Sequence, residues 1–219
     1  VQPKVDMHNG HIIGGEALVR WQNDKEMIYP DQFIPVLEKN GYVIDVDNFI
    51  WNKVCACIKM MEDEGIEPVP ISFNVSRMHV YQEKFTENLK DMAGKYGIDP
   101  KYIPLEITES AFTKEEGSLF KKVQSLQGYG FKFSMDDFGS GYSSLGMLKS
   151  ERVDEVKIDK TFVDDIATDK GKVLLGNVIR MINELGIDMI AEGVETKEQA
   201  DFLKENGCMY AQGYYYYKP

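Results

Sequence analysis

Six acid or amide side chains stand where short apolar runs end. Glu16 follows HIIGG, Asn74 follows PISF, Glu106 follows IPL, Asp136 and Asp137 follow FKFSM, and Glu192 follows IDMIA. Lys157 in EVKID and Gln212 in YAQG hold comparable positions. Runs of this length read as buried strands, where an ionised carboxylate is costly unless it is paired or bound to metal. Glu16, Glu106, Asp136 and Asp137 gathered within a few ångströms would raise one another's pKa values unless a cation lay between them. Mg2+ and Mn2+ prefer such oxygen ligands, and Asn74 adds a neutral one. The adjacent Asp136 and Asp137 can serve two ions if the strand end is distorted there. Two ions about 3.5–4 Å apart clamp in-line attack of water on a phosphodiester. Lys157 would hold or deprotonate that water, or steady the charge developing on phosphorus. Arg20, on a strand running through Trp21, returns to the side of Glu16 and suits bidentate contact with phosphate.

Such convergence needs a scaffold that brings strand ends to one rim. VQPKVD and HIIGGEALVRW flank Asn9-Gly10, a hairpin signal that makes the first two strands antiparallel. Helical patterns cover 31–40 and 46–64, then strand VPISFNV, a helix near 82–96 and strand YIPLEIT. Thr113 with Glu116 reads as a capping box for a helix reaching Gln127. Strand FKFSMDD, a short helix near 143–149 and strand EVKID follow. A helical stretch from Phe162 to Leu185 carries a break near Asp169–Gly171. Strand DMIAEG, a second capping box at Thr196 with Gln199, a helix stopped by Gly207 and strand AQGYYYY complete the chain. Eight strands with helical crossovers predict an α/β fold, a closed TIM-like (β/α)8 barrel in one domain over 1–219. In such barrels the active site lies at the C-terminal ends of the strands.

Composition narrows the function classes. Twenty-five Lys and Arg against 36 Asp and Glu give a net charge of −11, which argues against sequence-independent binding to a nucleic-acid polymer. A phosphate substrate remains compatible, because bound cations invert the local charge. No apolar stretch is long enough to span a membrane and no signal-peptide pattern occurs, so no membrane contact is expected of this segment. Cys55, Cys57 and Cys208 are few and odd in number, which predicts free thiols and a cytoplasmic setting. A start at Val1 without methionine predicts a segment of a longer protein. His8, His11 and His79 share no metal-ligand spacing and are expected at the surface or in turns. Trp21 and Trp51 are expected to pack, and Tyr214–Tyr217 to alternate in and out along the last strand. Asp137-Phe138-Gly139 matches a protein-kinase triplet, but the companion kinase segments are missing.

Glu16-Ala17-Leu18-Val19-Arg20 resembles the signature of EAL domains, the bacterial cyclic di-GMP phosphodiesterases. FNVS with Asn74, LEITES with Glu106 and Glu109, DDFGSGYSSL from Asp136, VKID with Lys157 and Asp159, AEGVET with Glu192 and Glu195, and AQGY with Gln212 resemble that family's blocks in order, over nearly the whole chain. The resemblance implies a barrel whose first strand runs antiparallel to the others. It also implies hydrolysis of cyclic di-GMP to linear pGpG with two Mg2+ or Mn2+ ions; Ca2+, larger and less demanding in geometry, is expected to bind with little or no turnover. One ion would be held by Glu16, Asn74, Glu106 and Asp136, the other by Asp136, Asp137 and Glu192. Lys157 would orient or activate the water, with Gln212 beside it. Leu18, Arg20 and Asp159 would meet substrate. Glu109, Phe138, Gly139, Ser140 and Glu195 would couple the loop after Asp137 to a homodimer interface, Ser140 replacing the family's usual threonine. Sensory or cyclase domains would flank this one in the full protein. An alternative is a catalytically silent cyclic di-GMP receptor.

Overall fold

The computed structural model describes residues 1–23, 26–112, 116–139, 148 and 153–219. Its strands are β1 (Gln2–Asp6), β2 (Ile12–Ala17), β3 (Trp21–Gln22), β4 (Met27–Ile28), β5 (Ile71–Asn74), β6 (Leu105–Thr108), β7 (Phe133–Phe138), β8 (Glu155–Ile158), β9 (Asp188–Ala191) and β10 (Tyr210–Ala211). Eight of them close a barrel in the order β1-β10-β9-β8-β7-β6-β5-β2, while β3 and β4 form a separate ribbon. β1 is antiparallel to both β2 and β10, and every other barrel pairing is parallel. The β1–β2 reversal follows from the Asn9-Gly10 turn. Gly10 takes φ +74° and donates its N–H to the Asp6 carbonyl, and the Asn9 amide donates to the Asp6 carboxylate.

The helices are α1 (Pro30–Asn40), α2 (Val43–Asp63), α3 (Arg77–Val80), α4 (Phe85–Tyr96), α5 (Glu116–Gln127), α6 (Lys160–Asp164), α7 (Asp169–Glu184) and α8 (Lys197–Glu205). Alternation along each strand sorts the side chains into two layers. One set, including Phe73, Ile107, Met135, Val156 and Ala191, is buried and joins the core formed with Trp51, Ile58, Leu89, Ile179 and Leu203 of the helices. Truncating a fully buried aromatic such as Phe73 to Ala would cost about 3–5 kcal/mol. The other set, Gln2, Lys4, Glu16, Ser72, Glu106, Ser134, Asp136, Lys157 and Gln212, is buried and polar. The lumen is therefore not filled by the branched aliphatics usual in such barrels; it is a charged column beneath the rim.

Several expectations need correction. β2 stops at Ala17, so Leu18–Arg20 leave the barrel before the β3–β4 ribbon begins, and strand alternation does not place Arg20. β10 ends at Ala211. Gly213–Tyr216 form a turn in which the Tyr216 and Tyr217 N–H groups donate to the Gly213 carbonyl, so the tyrosine run does not alternate along a strand. The long helix breaks earlier than read, through a 3-10 turn at Asp165–Ala167, with Thr168 capping α7 through Gly171 N–H. His79 is fully buried, stacked on Trp51 at 4.2 Å between centroids, because the short helix after Ser76 turns it inward toward Asp47. The Thr196–Gln199 capping box is present. The capping box at Thr113 and, Leu148 apart, the helix near 143–149 lie outside the described residues. The three cysteines are free, and no helix among the described residues is long and apolar enough to cross a membrane.

Candidate active site

The rim is organised around one buried cation. Lys157, on β8, is 1 % exposed. Its Nζ lies 2.7 Å from Glu106 Oε2, 2.7 Å from Glu192 Oε1, 2.9 Å from Asp136 Oδ1 and 3.3 Å from Glu16 Oε2. Four strands thus send carboxylates to a single ammonium. Glu16 is braced on both oxygens: the Asn74 amide donates to Oε1 at 2.9 Å, and the Gln212 amide donates to Oε2 at 2.6 Å. Gln212 also donates to Gln2 Oε1 at 3.0 Å. Beneath the rim, Lys4 Nζ lies 3.0 Å from Glu106 Oε1 and 3.3 Å from Glu155 Oε1.

Charge balance inside this group is uneven. Burial alone would push Glu106 upward, but Lys157 and Lys4 outweigh it and hold the carboxyl well below its ordinary range. Burial works against the charged form of Lys157 as well, yet Glu106, Glu192, Asp136 and Glu16 keep it firmly protonated. The remaining acids outnumber their cation. Burial, with Asp136 and Glu16 nearby, pushes Glu192 up to about 8. Burial, Asp136 and Asp159 push Asp137 up to about 6. Glu16 is raised by burial and by Glu106. Carboxylates held this far from their ordinary pKa values lack positive charge.

Two observations test whether these residues fit divalent cations. Asp136, Asp137 and Glu192 each offer an oxygen within 4.8 Å of the others. Asp136 Oδ1, although in ion-pair contact with Lys157, receives no directed hydrogen bond while buried. An acid-rich, cation-deficient oxygen set suits Mg2+ or Mn2+. The distorted strand end that two-ion binding requires is present: the β7–β8 register shifts between Met135 and Phe138, and Asp137 has φ 55°, a left-handed conformation uncommon for a side-chain-bearing residue.

Lys157, Glu16, Asp136, Glu192 and Gln212 line one cleft of about 410 Å3, together with Leu18, Lys160, Glu195 and Tyr214. Leu18 and Asn74 also line an adjoining groove of about 550 Å3 walled by Val19, Ile34, Val46 and Ile50. Arg20 is half-buried and stands apart from the acids, donating to its own Val19 carbonyl with its guanidinium 5.8 Å from the Tyr29 ring centroid. Asp159 caps α6 through the Thr161 N–H. Glu109 is buried behind the rim. Phe138 is buried, and Gly139 at φ +96° admits no side chain, since a Cβ there would lie 1.9 Å from the Phe162 ring. Ser140 lies outside the described residues. Glu195 accepts from Lys160 at 2.9 Å. Sequence reading missed Gln2 and Lys4; their signal was the alternation Gln-Pro-Lys-Val, which puts both polar groups on one face of β1.

The class is thus a closed eight-stranded α/β barrel with one antiparallel strand and with carboxylates gathered over a lysine at its C-terminal rim. The EAL domain profile matches residues 1–219, and the chain belongs to the EAL family. It is 34 % identical over 220 residues to the oxygen sensor protein DosP of Escherichia coli strain K12, covering all of this chain and 28 % of that protein. It is likewise 34 % identical over 220 residues to the probable cyclic di-GMP phosphodiesterase PdeG of the same organism, covering all of this chain and 43 % of PdeG. The solved PaMucR phosphodiesterase in complex with c-di-GMP superposes with a TM-score of 0.94 at 31 % identity, covering all of this chain and 89 % of that one. The chain thus spans roughly a quarter to two-fifths of the length of the curated relatives it matches.

Proposed function

We propose that this domain is a metal-dependent phosphodiesterase that hydrolyses cyclic di-GMP to linear pGpG. The observation that carries the reading is the convergence of Glu16, Glu106, Asp136 and Glu192 on Lys157, with Asp137 beside them, in a cleft open to solvent. Family membership and the c-di-GMP complex of PaMucR supply the substrate. Glu16, Asn74, Glu106 and Asp136 would hold one cation, and Asp136, Asp137 and Glu192 a second. Bound Mg2+ or Mn2+ would supply positive charge and Lewis acidity at the phosphate.

The chain's own residues do the rest. Water forms the new bond to phosphorus, the ribose 3′ oxygen leaves, and the proton lost by the water balances the one the 3′ oxygen gains. Lys157, set among four carboxylates, would donate hydrogen bonds that orient the water and steady charge on phosphorus. Gln212 and Asn74 hold Glu16 in place. Arg20 reaches a phosphate after leaving its contact with Val19, and the groove beside Leu18 receives a base. The physiological assembly is a homodimer fused to sensory or cyclase domains and working in the cytoplasm. Ca2+ occupies the acids without supporting turnover, being larger and less exacting in geometry.

The test is incubation of the purified domain with cyclic di-GMP and Mg2+ or Mn2+, with products separated chromatographically. Linear pGpG, absent in a chelator control, is expected, and Glu16→Ala or Asp136→Ala should lower turnover about a hundred- to a thousandfold while the fold persists. Near-normal turnover in either variant would refute the ligand assignment. Tight nucleotide binding with no product would convert the enzyme into a receptor.

A further inference from the structure

Glu106 divides its two oxygens between two lysines. Oε2 faces Lys157 at the rim, and Oε1 faces Lys4 from below, at 2.7 and 3.0 Å. Lys4 belongs to β1, the antiparallel strand, and Glu106 to β6, three strands away around the barrel by way of β2 and β5. Its side chain therefore crosses the lumen. The crossing is prepared locally. The β1–β2 register shifts between Lys4 and Val5, a bulge of the kind that re-aims a side chain. The residue opposite Lys4 on β2 is Gly14, which the Pro70 carbonyl approaches so closely that an added Cβ would lie 2.8 Å from its oxygen. Glu155, seated by the Ser134 hydroxyl at 2.8 Å, takes a second contact from Lys4 at 3.3 Å. Lys4 is 5 % exposed and lines a separate cavity of about 360 Å3 together with Ser72, Ser134 and Glu155, while it is absent from the walls of the cleft at the rim.

We propose that Lys4 is a positioning residue of the metal centre, locking Glu106 from beneath so that a single oxygen, Oε2, is presented to a cation at the rim. The inference rests on the phosphodiesterase reading above. A carboxylate tied at one oxygen cannot swing to chelate with both, and its plane is set by the lysine rather than by the ion. Groups behind a ligand commonly change metal affinity about 10–100-fold when removed. Lys157 cannot substitute, because its ammonium sits among the very oxygens a cation needs.

The experiment is a titration with Mn2+ alone, free Mn2+ being followed by electron paramagnetic resonance, on the wild-type domain, Lys4→Met, Lys4→Arg and Ser134→Ala. Lys4→Met should weaken Mn2+ binding about 10–100-fold, and Lys4→Arg should recover part of that loss. Ser134→Ala, which removes the hydroxyl that seats Glu155 and leaves the two lysine contacts of Glu106 in place, should bind within about twofold of wild type. Lys4→Met added to Glu106→Gln should weaken binding no further, since Lys4 acts only through that carboxylate. At saturating Mn2+ the KM for cyclic di-GMP should stay constant while kcat falls. Lys4→Met or, if that variant does not fold, Lys4→Gln binding Mn2+ as tightly as wild type would overturn the proposal, and so would an equal loss in Ser134→Ala. Failure of the wild-type domain to bind Mn2+ would instead overturn the phosphodiesterase reading and this inference with it.

Discussion

Lys157 occupies the place where positive charge is most needed, and removing it exposes what the acids cost one another. Replacement by methionine keeps the volume but leaves Glu16, Glu106, Asp136 and Glu192 facing each other without their shared cation. Breaking a buried ionic group in this way costs about 3–5 kcal/mol. Lys157→Met should therefore melt well below wild type in chelator and regain much of the difference in Mn2+; equal melting temperatures in chelator would contradict the arrangement. The same surplus of acid sets a pH dependence. Glu192 and Asp137 are raised from ordinary values of 4.5 and 3.8 to about 8 and about 6. The metal-free folded state thus holds protons that the unfolded chain has released, and its stability falls as pH rises from about 4 toward about 8. Cations must displace those protons, so Mn2+ affinity should climb across about pH 6–8, with protons released on binding. Calorimetry in buffers of different ionisation enthalpy checks this, and affinity flat over that range would count against it.

Elements place these residues through a few close backbone approaches. Gly213, directly after Gln212, leaves β10 so near the chain beyond β9 that a Cβ would lie 2.2 Å from the Val194 carbonyl oxygen. Backbone cannot yield as a flexible side chain does. Gly213→Ala should cost about 1–3 kcal/mol and draw Gln212 away from Glu16, lowering kcat more than a surface mutation of equal thermal effect; unchanged kcat in a destabilised protein would show that Gln212 is not held this way. The strands and the β1–β2 reversal were legible because short apolar runs and an Asn-Gly turn are local signals. The rim acids were legible because each closes such a run. Lys4, Ser72, Ser134 and Glu155 were not, since reading QPKVD, PISFN, FKFSM and EVKID as apolar hides the polar alternate positions that fill the lumen. Arg20 was misplaced because nothing local marks the end of β2 at Ala17. The tyrosine run has strand propensity throughout, yet it turns where Gly213 packs against Val194 and the Tyr215 N–H donates to the Val194 carbonyl. His79 looks like a surface residue in sequence, and only the partners Asp47 and Trp51, far upstream, account for its burial.

At the scale of the whole molecule, the proposed function asks a chain of net charge −11 to bind a doubly negative nucleotide in a cleft lined by Glu16, Asp136, Glu192 and Glu195. Without divalent cations the encounter is repulsive at close range. Unit charges 4 Å apart interact by about 4 kcal/mol at an effective dielectric constant of 20, and even a third of one such repulsion is about tenfold in affinity. Cyclic di-GMP should therefore bind at least about tenfold more weakly in chelator than with a divalent cation present. Ca2+ suits the measurement, because binding can then be followed while hydrolysis is suppressed. Added monovalent salt should narrow the gap only slightly, since the opposing charges lie well inside a Debye length of about 8–10 Å. Equal affinity with Ca2+ and with chelator would mean that the phosphates dock away from Glu16, Asp136 and Glu192, and the cleft at the rim would then no longer be the place where this domain meets its substrate.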